Sequence, residues 1–139
     1  MEKNYNAVVQ APFLGLIHKD CLSCREPIYN PLCPDCISRE FKVWISKYPE
    51  EIKEEILSSL SKFLEDNSYL KGSSHKCIAC GRNNVYLCPY CFTEFLFNLL
   101  KKSKSTKINK TLLGEFLMLF NFDFEHTGYY KDGEKLGIF

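Results

Sequence analysis

Eight cysteines carry most of the chemical content of this 139-residue chain: Cys21, Cys24, Cys33, Cys36, Cys77, Cys80, Cys88 and Cys91. Every one belongs to a Cys-x-x-Cys pair, and the pairs come in two clusters, with eight residues between the pairs of the first and seven between those of the second. Two chemistries use such pairs. A dithiol at the start of a helix can attack disulfides through its first thiolate, or two pairs can surround one metal ion tetrahedrally, with metal–sulfur distances of about 2.3 Å for zinc. In a reducing compartment, so many cysteines point to ligation or redox work rather than to structural disulfides.

The stretch VYLCPYCFTEF (Val85 to Phe95) resembles the Cys-Pro-Tyr-Cys dithiol of glutaredoxins, with a strand before it and a helix after it. The other six cysteines favour metal. Cys33 to Cys36 repeats the motif as Cys-Pro-Asp-Cys, and both copies carry an upstream pair that a dithiol enzyme leaves unexplained. The paired spacing resembles four-cysteine zinc fingers of the zinc-ribbon and treble-clef class, in site type and not as one particular family. That resemblance implies two structural Zn2+ ions with all eight cysteines as ligands. The known spacings of iron–sulfur proteins do not match. Four thiolates close a zinc shell and leave no position for substrate, so the expectation is a protein that is not an enzyme. His75, two residues before Cys77, is a possible competing ligand. Asp123, Glu125 and His126 form the one acid–base grouping, more simply read as the polar edge of a strand or turn.

The elements that position these cysteines repeat as well. DCLSCREPIYNPLCPDCISREFKVW (Asp20 to Trp44) aligns with KCIACGRNNVYLCPYCFTEFLFN (Lys76 to Asn98), and Glu51 to Glu65 aligns with Lys107 to Asn121, placing Ile52 over Ile108, Ile56 over Leu112 and Leu60 over Phe116. In each copy Pro34 or Pro89 suits a first helical turn. Ile37, Phe41, Trp44 and Ile45 then recur at helical spacing until Pro49, where a second helix begins with the stripe Ile52, Ile56, Leu57, Leu60, Phe63 and Leu64. In the second copy the corresponding runs are Phe92 to Leu100 and Leu112 to Phe120, the latter apolar nearly all round and expected to be buried between the copies. The loop between the cysteine pairs is too short for much beyond a turn or a single strand such as Asn84 to Leu87.

The expected fold class is mostly α with small zinc-bound β elements, an internal duplication of a four-cysteine module followed by two helices. The expected organisation is an N-terminal arm (1–19), a first module (20–70), a second module (71–122) and a tail (123–139); the two clusters could share ligands in an interleaved fashion, but the duplication argues for one ion per copy. The tail suits a short strand or an extended packing arm.

Apolar and aromatic contents of 45% and 14% suffice for a packed core. No apolar run reaches the roughly 18 residues of a membrane span, and the N-terminal residues lack the pattern of a secretory signal, so the expected location is cytoplasmic, with no membrane partner. The formal charge is +1, and eight thiolates with two divalent ions would bring it to about −3. That balance favours a protein partner and an adaptor role. Nucleic acid is the alternative, through Arg82 and Lys101, Lys102, Lys104, Lys107 and Lys110; a thiol oxidoreductase using Cys88 and Cys91 is the third reading. The lysine segment contains no arginine or aromatic residue for base contacts. The acidic residues Glu50, Glu51, Glu54, Glu55, Glu65 and Asp66 would repel nucleic acid on the second helix. The last residues, with Leu136 and Phe139, resemble the hydrophobic part of clamp-binding peptides, but Gly133 stands where that motif has glutamine, and packing onto the core is the simpler account.

Overall fold

Proline sets the start of two of the helices. Pro34 opens α1 (Pro34–Ile45) and Pro89 opens α3 (Pro89–Lys101), each at a position whose N–H has no intrahelical acceptor. Pro49 precedes α2 (Glu50–Asp66), and Asn109 caps α4 (Lys110–Leu119), its side chain accepting from the Leu112 N–H at 2.9 Å. The computed structural model describes residues 20–28, 31–72, 74–105 and 107–120. Among them the protein is mostly helical, with one 3-10 turn (Ser68–Leu70) after α2.

The β content is smaller than the strand expected at Asn84 to Leu87. Among the described residues it includes two antiparallel bridges, Asp20 with Pro27 and His75 with Val85. The loop between the cysteine pairs is too short for a regular strand ladder.

Helix α1 packs against α2 and α3 against α4, as the apolar stripes require, while α1 and α2 both also contact α3. Ile37, Phe41 and Ile45 of α1, Ile52, Ile56 and Leu60 of α2, and Phe92, Leu96, Phe97 and Leu100 of α3 form one continuous buried cluster. Each such side chain contributes about 1.5–3 kcal/mol by leaving water. Helix α4 joins it through Phe116, which stacks on Phe97 (5.9 Å between centroids, planes at 15°) and meets Phe41 edge-on at 5.9 Å. Trp44 donates from its indole nitrogen to Glu115 at 2.8 Å, tying α1 to α4.

Helix α4, expected to be buried between the copies, is buried on one side only. Leu112, Leu113, Phe116 and Leu117 are buried, but Met118 and Leu119 are 75% and 59% exposed. The end of α4 still meets α1 through Phe120, whose ring lies 6.0 Å from Phe41 and 5.9 Å from Trp44, while among the described residues little covers the outer side that carries Met118 and Leu119.

Candidate metal centres

Each cysteine pair is held by its own local hydrogen bonds before any ion is considered. In the first knuckle, the Cys21 N–H donates to the Glu26 carbonyl at 2.9 Å, the Arg25 N–H to the Cys21 carbonyl at 2.9 Å, and the Ser23 N–H to Cys21 Sγ at 3.4 Å. The second knuckle repeats this: Cys77 to Arg82 at 2.8 Å, Gly81 to Cys77 at 2.9 Å, and the Ala79 N–H to Cys77 Sγ at 3.4 Å. The turn needs left-handed backbone just after the second cysteine. Gly81 supplies it with φ of 77°, and Arg25 adopts it at 67°.

The other two pairs sit at helix starts. Cys33 is the N-cap of α1 and Cys88 that of α3, each sulfur accepting from the N–H three residues on, Cys36 and Cys91, at 3.4 Å. The thiolate thus takes the place of a capping Ser or Asp, where the positive end of the helix dipole favours the anion.

The grouping of these pairs corrects the expectation of one ion per copy. Cys21 and Cys24 of the first knuckle converge with Cys88 and Cys91 at the start of α3; Cys77 and Cys80 of the second knuckle converge with Cys33 and Cys36 at the start of α1. Within each group the four sulfurs lie within 4.8 Å of one another. Backbone bonds enforce the exchange. The Leu22 N–H donates to the Tyr86 carbonyl at 3.0 Å, and at the equivalent place in the other half the Ile78 N–H donates to the Pro31 carbonyl at 2.8 Å. A knuckle tied to the strand-like residues before the opposite helix cannot reach the helix of its own half.

Both groups fit a single tetrahedral ion. Sγ–Sγ separations are 3.9 Å for Cys24 and Cys88, 3.8 Å for Cys33 and Cys80, and 3.8 Å for Cys36 and Cys77. A tetrahedron with metal–sulfur bonds of about 2.3 Å has edges of about 3.8 Å. The space admits one ion and not an iron–sulfur cluster. No family model matches the chain, and no curated protein or solved structure matches it either. The case for metal therefore rests on the donor set and its geometry.

Electrostatics support it. Hydrogen bonds from the Cys88 and Cys91 thiols hold Cys21 well below the ordinary thiol range against the effect of its burial, while those two are pushed up by the same contact with Cys21. Burial opposes ionisation of Cys77, yet the N–H groups of Cys80, Cys33 and Ala79 bring it down to about 6. Burial pushes Cys24, Cys33 and Cys36 up. Each site thus gathers its first negative charge on the equivalent knuckle cysteine. Further ionisation needs a cation among the sulfurs.

The remaining candidates fall outside the clusters. His75 uses its backbone to bridge Val85, and its side chain belongs to neither group. His18, Asp123, Glu125 and His126, and the Leu136 to Phe139 peptide, lie outside the described residues. Arg82 is exposed on the second knuckle, whereas the lysines are exposed on the end of α3, the connector after it and the start of α4. Lys107 pairs with Glu51 at 2.7 Å, Lys101 sits 5.0 Å over the Phe97 ring, and Glu55 accepts from the Lys104 N–H at 3.1 Å and from Ser103 Oγ. The connector is therefore fastened to the acidic side of α2. Sequence reading takes the duplication to favour pairing within a copy over interleaving; loops of eight and seven residues permit exchange as readily as closure.

Proposed function

We propose that the chain is a zinc-binding, non-catalytic interaction adaptor with two structural Zn2+ ions, whose ligands lock two small helical halves into one rigid body. The observation that carries this reading is the reciprocal ligand exchange. Neither half completes a site alone, so both ions act as cross-links, and the binding free energy of each is folding free energy for the whole.

Four cysteine ligands per ion leave no open position for water or substrate, which favours a structural over a hydrolytic role. The exposed faces of the helices and knuckles, set in place by the ions, are then the surfaces for a protein partner. Burial of Cys88 and Cys91 within a four-sulfur group weighs against a dithiol oxidoreductase. The attachment of the lysine connector to Glu51 and Glu55 weighs against a nucleic-acid role.

Metal analysis by mass spectrometry on protein purified without added zinc, with thiol titration of the same sample, tests the reading. About two zinc ions per chain and thiols that react only after denaturation are expected. Metal-free protein with a fast-reacting thiol pair would replace the adaptor by an oxidoreductase, and salt-sensitive binding to nucleic acid would replace its partner class.

A further inference from the structure

The two halves exchange equivalent contacts, yet among the described residues one knuckle is covered and the other is bare. Leu22 on the first knuckle is 6% exposed; its counterpart Ile78 on the second is 69% exposed. What covers Leu22 is the 3-10 turn after α2. Leu70 is buried beside Leu22, Tyr86 and Leu87 around a cavity of about 10 Å³, too small to separate them. The counterparts of Tyr86 and Leu87 in the other half are Pro31 and Leu32, both only partly buried. Leu32 also borders an open groove of about 480 Å³, whose walls include Val43, Ala79, Leu119 and Phe120.

The sequence before the first knuckle holds the counterpart of that cover. Tyr69 and Leu70 stand eight and seven residues before Cys77, and Phe13 and Leu14 stand eight and seven residues before Cys21. Leu70 reaches back from the second knuckle to cover the first. Six residue steps separate Leu14 from Asp20, and extended chain of that length spans about 20 Å. Residues 1–19 lie outside the described part of the chain.

We propose that the segment Pro12–Leu16 docks in cis on the bare second knuckle, with Leu14 as its anchor against Ile78, Pro31 and Leu32. The exposed apolar face is then an intramolecular docking site, and its occupant brings the exchange between the halves to a third pair of contacts. The competing occupants are residues 121–139, which continue from Phe120 with Phe122 and Phe124, and a second copy of the chain.

A photoreactive benzoyl-phenylalanine in place of Ile78, in full-length protein with both ions bound, reads the occupant directly. Irradiation followed by peptide mapping should give an intramolecular link to residues 12–16. A link to residues 121–139, a link between two copies, or no link would each overturn the proposal. Hydrogen exchange provides the second readout, because the Ile78 N–H donates to the Pro31 carbonyl beneath the proposed contact. Leu14→Asp should speed exchange at Ile78 at least tenfold while two metal ions stay bound. Unchanged exchange at Ile78 would overturn the assignment of Leu14 as anchor. If Leu14→Asp failed to fold, the cross-link from position 78 would still decide the matter.

Discussion

Cys24 and Cys88 are 64 positions apart in the chain, yet their sulfurs are 3.9 Å apart. Cys33 and Cys80, in the other site, are 47 positions apart with sulfurs at 3.8 Å. A cross-link closing so long a loop removes more disorder from the unfolded chain than one closing a short loop, although the dependence on length is slow. The larger consequence is architectural. Both four-sulfur sites span the boundary between the halves, so stability at either site is shared by the four described helices.

Loss of one site should therefore unfold more than one half. Cys77→Ser removes the knuckle sulfur on which the second site collects its first charge. Structural zinc in small peptides binds with about 10–16 kcal/mol, comparable with or above the roughly 5–15 kcal/mol that holds a whole domain together. The expected outcome is a drop from two ions to one or none by native mass spectrometry, with loss of helical circular dichroism from both halves. Retention of full helicity with one ion would show that the sites do not act as joint cross-links.

Isolated halves provide a sharper test of the exchange. Fragments 20–70 and 71–122 each contain one knuckle and one helix-start pair, but the structure uses these pairs only across the boundary. Alone, each fragment should be poorly helical; mixed with metal, they should associate one to one and hold two ions. Calorimetric titration of one fragment with the other measures this. Two fragments that each fold around their own ion would restore the arrangement of one ion per copy.

Much of the scaffold was legible in the sequence. Pro34, Pro49 and Pro89 mark helix starts, and the stripe Ile52, Ile56 and Leu60 lies on the buried face of α2. All eight cysteines fall into four-sulfur groups. The pairing of knuckles with helices was not legible, because Cys-x-x-Cys spacing constrains only the turn. The choice between closure and exchange rests on long-range bonds such as Leu22 to Tyr86 and Ile78 to Pro31. Nor does periodicity show that Met118 and Leu119 face outward. Thr111 and Glu115 share that face at helical spacing, but two polar residues in an otherwise apolar run are a weak phase signal.

The two knuckles differ at the left-handed position, where Gly81 meets no conformational cost and Arg25 does. A Cβ at position 81 would touch nothing within 4 Å, so only backbone strain opposes it. Gly81→Ala should lower stability by about 1 kcal/mol without loss of metal. Thermal unfolding of the holo-protein, followed by circular dichroism, measures it. An effect several times larger would mean that the second knuckle changes shape and that its sulfurs move with it.

Tyr48, at the turn between α1 and α2, is pushed up to about 12 by burial, by its hydrogen bond to Glu115 and by that carboxylate's charge. Its ring meets Trp44 edge-on at 5.1 Å, so the phenol sits at the joint where Glu115 of α4 accepts from the Trp44 indole. A raised acid keeps its proton longer in the folded state than in the unfolded state. Its contribution to stability is therefore complete below the unfolded value of about 10 and is lost as pH rises through about 12. Thiolate ligands stay ionised across this range, so the alkaline limb can be read with both ions in place. Burial also pushes the Tyr86 phenol up, so absorbance titration of tyrosinate should show more than one late phenol, of which the Tyr48 step disappears in Tyr48→Phe. The same substitution should flatten the fall in unfolding temperature above pH 10. A Tyr48→Phe profile that overlays the parent would mean that the phenol does not bond Glu115 and that Trp44 and Lys47 hold that carboxylate without it.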